Sequence, residues 1–226
     1  MANENQWCFA WMRQKPKDEA TKAALVKAAK WKTGDIITVS FLDGVPAVQD
    51  KVKQVAKTWV GPGMANLKLD FRKDNNTDIR ISFRYDGSWS TVGTECRLVK
   101  KPEPTMNYGW LDEASTDEEI RSVVLHEFGH ALGLIHEHQS PAGGIKWNRD
   151  AIIKELSGPP NNWSLEDIEH NMFKPQAASQ TNFTALDKNS IMMYPIPANW
   201  TTNGFSVGLN NSLSAKDKKF IKQQYS

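Results

Sequence analysis

The sequence predicts an α+β fold: a twisted mixed β-sheet, one central helix, and a loop-rich second half that ends in a terminal helix. Three observations carry this. Between residues 36 and 109, apolar residues alternate or run in short blocks broken by turn signals, the pattern of strands. After Thr116 the apolar residues recur at helical spacing. Residues 174–212 are mostly irregular, a length uncommon in a compact domain and easier to understand if a bound metal orders it.

The elements follow in order. The first thirty residues are polar, with Trp7, Cys8, Phe9 and Trp11 clustered ahead of an amphipathic stretch at 18–32. Its lysines alternate with Ala and Leu, which reads as a solvated helix face. Residues 36–42 form a strand and 46–60 a helix opened by Pro46, with Gly61-Pro62-Gly63 ending it. Strands at 67–71 and 79–85 flank a turn at Asp74-Asn75-Asn76, and two more are expected at 88–94 and 105–109. Thr116, with Glu119 three residues later, is a capping-box signal. The helix it opens places Ile120, Val124, Phe128 and Ala131 on one buried side. A loop at 141–148, short helices at 149–156 and 165–173, and a last helix capped by Ser214 and ending near Gln224 complete the chain.

At 226 residues the chain fits one domain with a short extension, and nine Trp with nine Phe supply a core. A net charge of +2 makes no case for nucleic acid. No apolar run is long enough to span a membrane, and residues 1–30 lack the apolar core of a secretory signal. Two cysteines, Cys8 and Cys96, cannot provide a disulfide framework.

The central helix carries His126-Glu127-Phe128-Gly129-His130. Histidines four apart stand one above the other on a helix, so both imidazoles reach one ion. Glu127 lies roughly 100° round the helix, placed to address a metal-bound water. Gly133 and His136 follow; a left-handed turn at glycine brings His136 back toward the ion instead of away from it. Three imidazoles and no nearby thiolate are the ligand set of a catalytic zinc site, with one Zn2+ expected. Five such fixed positions match by chance about once in 10⁵ chains of this length.

Far downstream stands Ser190-Ile191-Met192-Met193-Tyr194. The extended histidine motif with a methionine-containing turn resembles the metzincin metalloproteases, and within them the astacins. The resemblance implies a metzincin-like α+β fold with an edge strand that binds substrate. It implies that Met192 forms an apolar floor beneath the zinc, and that Tyr194 is an additional zinc ligand that swings to the transition-state oxyanion. It also matches Glu137 to a family glutamate that meets the processed N-terminus. On this reading residues 1–33 are an N-terminal extension or prosegment and 34–226 the catalytic domain, divided into 34–135 and 136–226.

The implied chemistry is zinc-dependent hydrolysis of peptide bonds within protein or peptide substrates, with Glu127 as general base and acid. Ser88, Trp89, Ser90, Thr91, Val92 and Gly93 resemble the strand on which an extended peptide is held through its backbone. The protein is expected to be secreted or exported, although residues 1–30 hold no recognisable signal. An exopeptidase would need a group for a terminal charge, which nothing local identifies. A non-catalytic zinc module would typically have lost the glutamate or the tyrosine. Cys8 is a candidate inhibitory zinc ligand. Its alternatives are an inert covered thiol and a disulfide with Cys96.

Overall fold

The computed structural model describes residues 8–11, 29–139, 144–159, 161–174 and 186–226. The amphipathic stretch expected at 18–32 lies outside them as far as residue 28. Among the described residues six strands form one mixed sheet: β1 (Cys8–Trp11), β2 (Ile36–Phe41), β3 (Lys68–Phe71), β4 (Ile79–Ser82), β5 (Ser88–Thr91) and β6 (Met106–Tyr108). Their order across the sheet is β1-β5-β6-β4-β2-β3.

Helix α1 (Pro46–Ala56) begins with proline in its first turn and tightens into a 3-10 segment at Lys57–Val60. It makes the crossover between the parallel strands β2 and β3. The turn signal at Asp74-Asn75-Asn76 does not close a hairpin. An Asx turn there, with Asn76 N–H donating to Asp74 Oδ1 at 3.0 Å, carries the chain across to the far side of β2. β3 ends level with Val39, where β4 begins on the opposite flank of β2, and all three strands run parallel.

Of the five strands from β2 to β6, β5 alone runs antiparallel, to its neighbour β6, and it forms one edge of those five, with β3 at the other. The N-terminal strand β1 adds beyond it, parallel, pairing Cys8 with Ser88 through Trp11 with Thr91. The expected strand at 88–94 is shorter than its sequence suggests. Gly93 instead opens a 3-10 segment, Gly93–Leu98, with φ +52, and an added Cβ would stand 1.9 Å from Ala29 O. The strand yields to a close backbone contact that only glycine allows.

Helix α2 (Asp117–Ala131) starts where its cap predicts, with Thr116 Oγ1 accepting from Glu119 N–H at 3.2 Å. Asp117, Glu118 and Glu119 complement the positive end of its dipole. Ile120, Val124, Phe128 and Ala131 are all buried as expected. Three distant side chains cover backbone carbonyls of this helix and its exit. Trp59 Nε1–H donates to Leu125 O (3.0 Å), Trp31 Nε1–H to Ala131 O (2.8 Å) and Tyr225 Oη–H to Leu132 O (2.7 Å). Part of the tryptophan load thus satisfies groups that burial would otherwise leave unpaired.

The second half carries α3 (Arg149–Leu156), α4 (Leu165–Ile168), which runs on as a π turn at Glu169–Phe173, and α5 (Ala215–Gln224). Two apolar clusters result. One joins the sheet, α1 and α2 to Ile191 and Met192; the other joins α3 and α4 to Met193, Tyr194, Ile196 and Trp200. The methionine turn is therefore the seam: neighbouring residues belong to different cores, and the histidines lie between.

Candidate metal centre and active site

The exit from α2 shows why the third histidine returns. Gly133 has φ +90; its N–H donates to His130 O at 2.8 Å, and Leu134 N–H donates to Gly129 O at 2.9 Å. These two bonds are a Schellman motif, which reverses the chain at a left-handed residue. His136 follows two residues after Leu134, buried beside the helix that carries the other two.

The ligand nitrogens of His126, His130 and His136 lie within 4.8 Å of one another. His130 Nε2 is 3.2 Å from His126 Nε2 and 3.1 Å from His136 Nε2. Two nitrogens each about 2.05 Å from a tetrahedral ion would stand about 3.3 Å apart, so the spacing fits zinc. Without an ion, three such nitrogens have little reason to converge. Two rings are oriented from behind: His126 Nδ1–H donates to Ile191 O (2.8 Å) and His130 Nδ1–H to Leu134 O (2.9 Å). That tautomer turns the Nε2 lone pair toward the centre. Burial holds His126 down to about 4 and pushes His130 and His136 well below the usual histidine range, so all three are neutral at physiological pH.

Glu127 is fully buried and, with His126 and Tyr194, lines a cavity of about 50 Å³. One water needs about 10–15 Å³ measured this way, so the space admits a water with room to spare. Val123, Ile191 and Leu209 give the remaining wall an apolar character. Tyr194 is buried with its ring 4.2 Å from that of His136 and 5.9 Å from that of His126, measured between centroids. His138 also stacks on it, at 4.7 Å and 27°, and lies 5.2 Å from the ring of His136. His138 Nε2 bonds to Asn171 O at 2.8 Å, and among the described residues the three-histidine group does not include it. His170 is half-buried, and its carbonyl accepts from Gln139.

Met192 lies directly under the motif: a Cβ added at Gly129 would meet Met192 Sδ at 2.3 Å. The glycine between Glu127 and His130 is thus the gap into which this methionine fits. Glu137 N–H donates to Met192 O (2.9 Å), and Glu137 Oε1 accepts from Asp187 N–H (2.9 Å). Burial pushes the carboxyls of Glu137 and Asp217 up from the usual range. Cys96 is a buried free thiol, pushed up to about 12 by its burial. Ser88, Ser90, Thr91 and Val92 are buried and Trp89 half-buried. The backbone edge of β5 that faces away from β6 is taken by β1.

Sequence reasoning did not find Asp217, whose carboxylate binds the methionine turn, nor Asn210, whose Nδ2 donates to Ser190 O at 2.9 Å. The one available signal was the Ser214-x-x-Asp217 capping box, which names a helix start and not a long-range contact.

Comparison with known proteins agrees with this geometry. Residues 26–226 match the family model for astacin, peptidase family M12A. Zinc metalloproteinase nas-19 of Caenorhabditis elegans is 23% identical over 168 residues, 73% of this chain. The chain spans about a third of the length of that curated relative, 36%. A structure of myroilysin is 43% identical with a TM-score of 0.84, covering 88% of this chain and 97% of that one. A second myroilysin structure is 40% identical at 0.72, covering 98% and 91%. A hatching enzyme zinc-protease from the medaka fish Oryzias latipes shares the fold at 19% identity and a TM-score of 0.55, over 88% and 95%.

Proposed function

Because this chain belongs to the astacin family of zinc metallopeptidases, peptidase family M12A, we propose that it is an endopeptidase in which Glu127 moves the proton and Tyr194 stabilises the oxyanion. The observation that carries the reading is the convergence of three neutral imidazoles, with His130 Nε2 3.2 and 3.1 Å from those of His126 and His136, beside a cavity that His126 lines together with Glu127 and Tyr194. His126, His130 and His136 would hold a zinc ion, which would supply Lewis acidity and lower the pKa of a water from about 16 toward 7. Glu127 takes the proton of the water that attacks the scissile carbonyl and delivers that proton to the departing amine. The buried Tyr194 hydroxyl donates to the oxygen on which negative charge develops. Met192 keeps the floor beneath the histidines apolar.

Tyr194→Phe isolates the hydroxyl, since a phenyl ring keeps the packing against His136 and His138. The expected result is a fall in kcat of roughly 10²–10³, the usual cost of one oxyanion donor, with KM little changed. A variant in which KM alone rises would make Tyr194 a packing or binding residue.

An extended peptide held along β5 through backbone bonds explains a preference for chains over single residues. β1 lies on that strand and meets α2. A segment in this place blocks peptide entry, which supports reading residues 1–33 as an inhibitory prosegment of a secreted or exported enzyme. Cys8, at the start of β1, is the proposed thiolate zinc ligand of the latent form. Digestion of casein tests both points. Cleavage should stop with a chelator and return with zinc, and its initial rate should rise when residues 1–30 are removed or in Cys8→Ala. Chelator-resistant digestion would refute the metalloprotease. Equal initial rates before any self-cleavage would refute the latch alone.

A further inference from the structure

The methionine turn is held by a residue outside it. Asp217, in the first turn of α5, accepts from Ser190 Oγ–H at 2.7 Å with one carboxylate oxygen and from Ile191 N–H at 2.9 Å with the other. The second oxygen also accepts from Ser214 N–H at 2.9 Å, which completes the capping box of the helix. The carbonyl of the same Ile191 accepts from His126 Nδ1–H at 2.8 Å. One residue therefore links a buried carboxylate to the first histidine: Asp217 holds Ile191 by its N–H, and Ile191 holds His126 by its C=O.

We propose that Asp217 is a positioning residue for the zinc site, setting the ring orientation of His126 and the seat of Met192 through the Ile191 backbone. The inference rests on the three-histidine zinc reading and deepens it. A carboxylate serving only as a helix cap would need the Ser214 N–H and could stay in solvent. Asp217 is only 7% exposed, and two of its bonds reach residues 26 and 27 positions earlier in the chain. The serine it holds has a further duty, since Ser190 Oγ accepts from Met192 N–H at 3.1 Å. Glu137 N–H donates to Met192 O and Asp187 O accepts from Ser190 N–H, while Asp187 Oδ2 accepts from Ser214 Oγ–H at the start of α5. The path to His126 runs through Asp217. Loss of such an outer partner typically costs about 10–100-fold in metal affinity or activity.

Four readouts on the full chain test this: zinc affinity by chelator competition, the visible spectrum of the cobalt-substituted protein, kcat and KM taken separately, and Tm. Asp217→Ala should bind zinc about 10–100-fold more weakly, shift the cobalt bands and lower kcat with little change in KM. Asp217→Asn should recover most of this, because its amide oxygen accepts from both N–H groups while its NH2 donates to Ser190 Oγ. Ser214→Ala removes the side-chain half of the cap and a bond to Asp187 but leaves both bonds from Asp217 to the turn in place, so it should lower Tm with a much smaller loss of zinc affinity than Asp217→Ala. The proposal is overturned if Asp217→Ala loses Tm alone, or if Ser214→Ala weakens zinc as much. If the alanine variant does not fold, Asp217→Ser, too short to reach Ile191, is read the same way. Failure of both beside a folded Ser214→Ala also overturns it, since the carboxylate would then serve the whole scaffold. A wild-type protein that binds no zinc would defeat the metal reading itself, before Asp217 enters.

Discussion

Glu127→Gln should keep its zinc and its fold while kcat/KM falls by at least the 10²–10⁴ that a general base contributes. Glutamine has the shape of glutamate, so the cavity beside His126 keeps its walls. Its amide has no basic oxygen able to take a proton near neutral pH, so the attacking water keeps its own. The fold should not suffer either. Glu127 is fully buried, and burying a neutral amide costs less than burying a carboxylate, so Tm is expected to be equal or higher. Elemental analysis, thermal melting and turnover of one peptide decide the matter together. Near-normal turnover in zinc-loaded protein would place the base elsewhere. Lost zinc would make Glu127 a support of the site and leave its chemistry untested by this variant, whereupon Glu127→Asp, which shortens the reach but keeps the carboxylate, separates the two.

What the sequence disclosed is what short-range geometry controls. The spacing of His126 and His130, the cap at Thr116 and the reversal at Gly133 each involve residues within one or two helical turns. Each stands where its local chemistry placed it. Helices α3 and α5 and strand β2 were legible for the same reason. The turn at Asp74–Asn76 was legible as a turn, yet its destination was not. A turn signal reports where the chain bends, and only the finished sheet determines which flank of β2 receives β4.

Long-range bonds left no pattern to read. Trp31 and Ala131 are 100 positions apart, Tyr225 and Leu132 are 93 apart, and each pair is joined by one side-chain donor to one carbonyl. No periodicity marks such a pair. Asp217 presents the same difficulty, because its capping role accounts for its residue type and hides its second use. Gly93 departs from its expected strand for a related reason. The backbone of Ala29 approaches it too closely for any side chain, and nothing adjacent in sequence announces that approach.

Replacing any one of His126, His130 or His136 with alanine should remove zinc and activity together. Each supplies one of three nitrogens, and a buried ion left with two imidazoles loses much more than the 10–100-fold that an outer-shell change costs. The three variants should not be equal in stability. His130 stands between the other two, and its Nδ1–H bonds to Leu134 O at the helix exit. Its loss releases both a ligand and one of the bonds that hold the returning chain. His126→Ala loosens the turn at Ile191 instead, and leaves the Schellman reversal intact. His138→Ala is the control, since His138 packs on Tyr194 and bonds to Asn171 O without joining the metal group. It should retain full zinc even where its turnover suffers. Zinc content after dialysis, measured beside casein digestion, gives the answer: full occupancy in all three ligand variants would sink the assignment, and zinc lost from His138→Ala as well would add a fourth residue to the site.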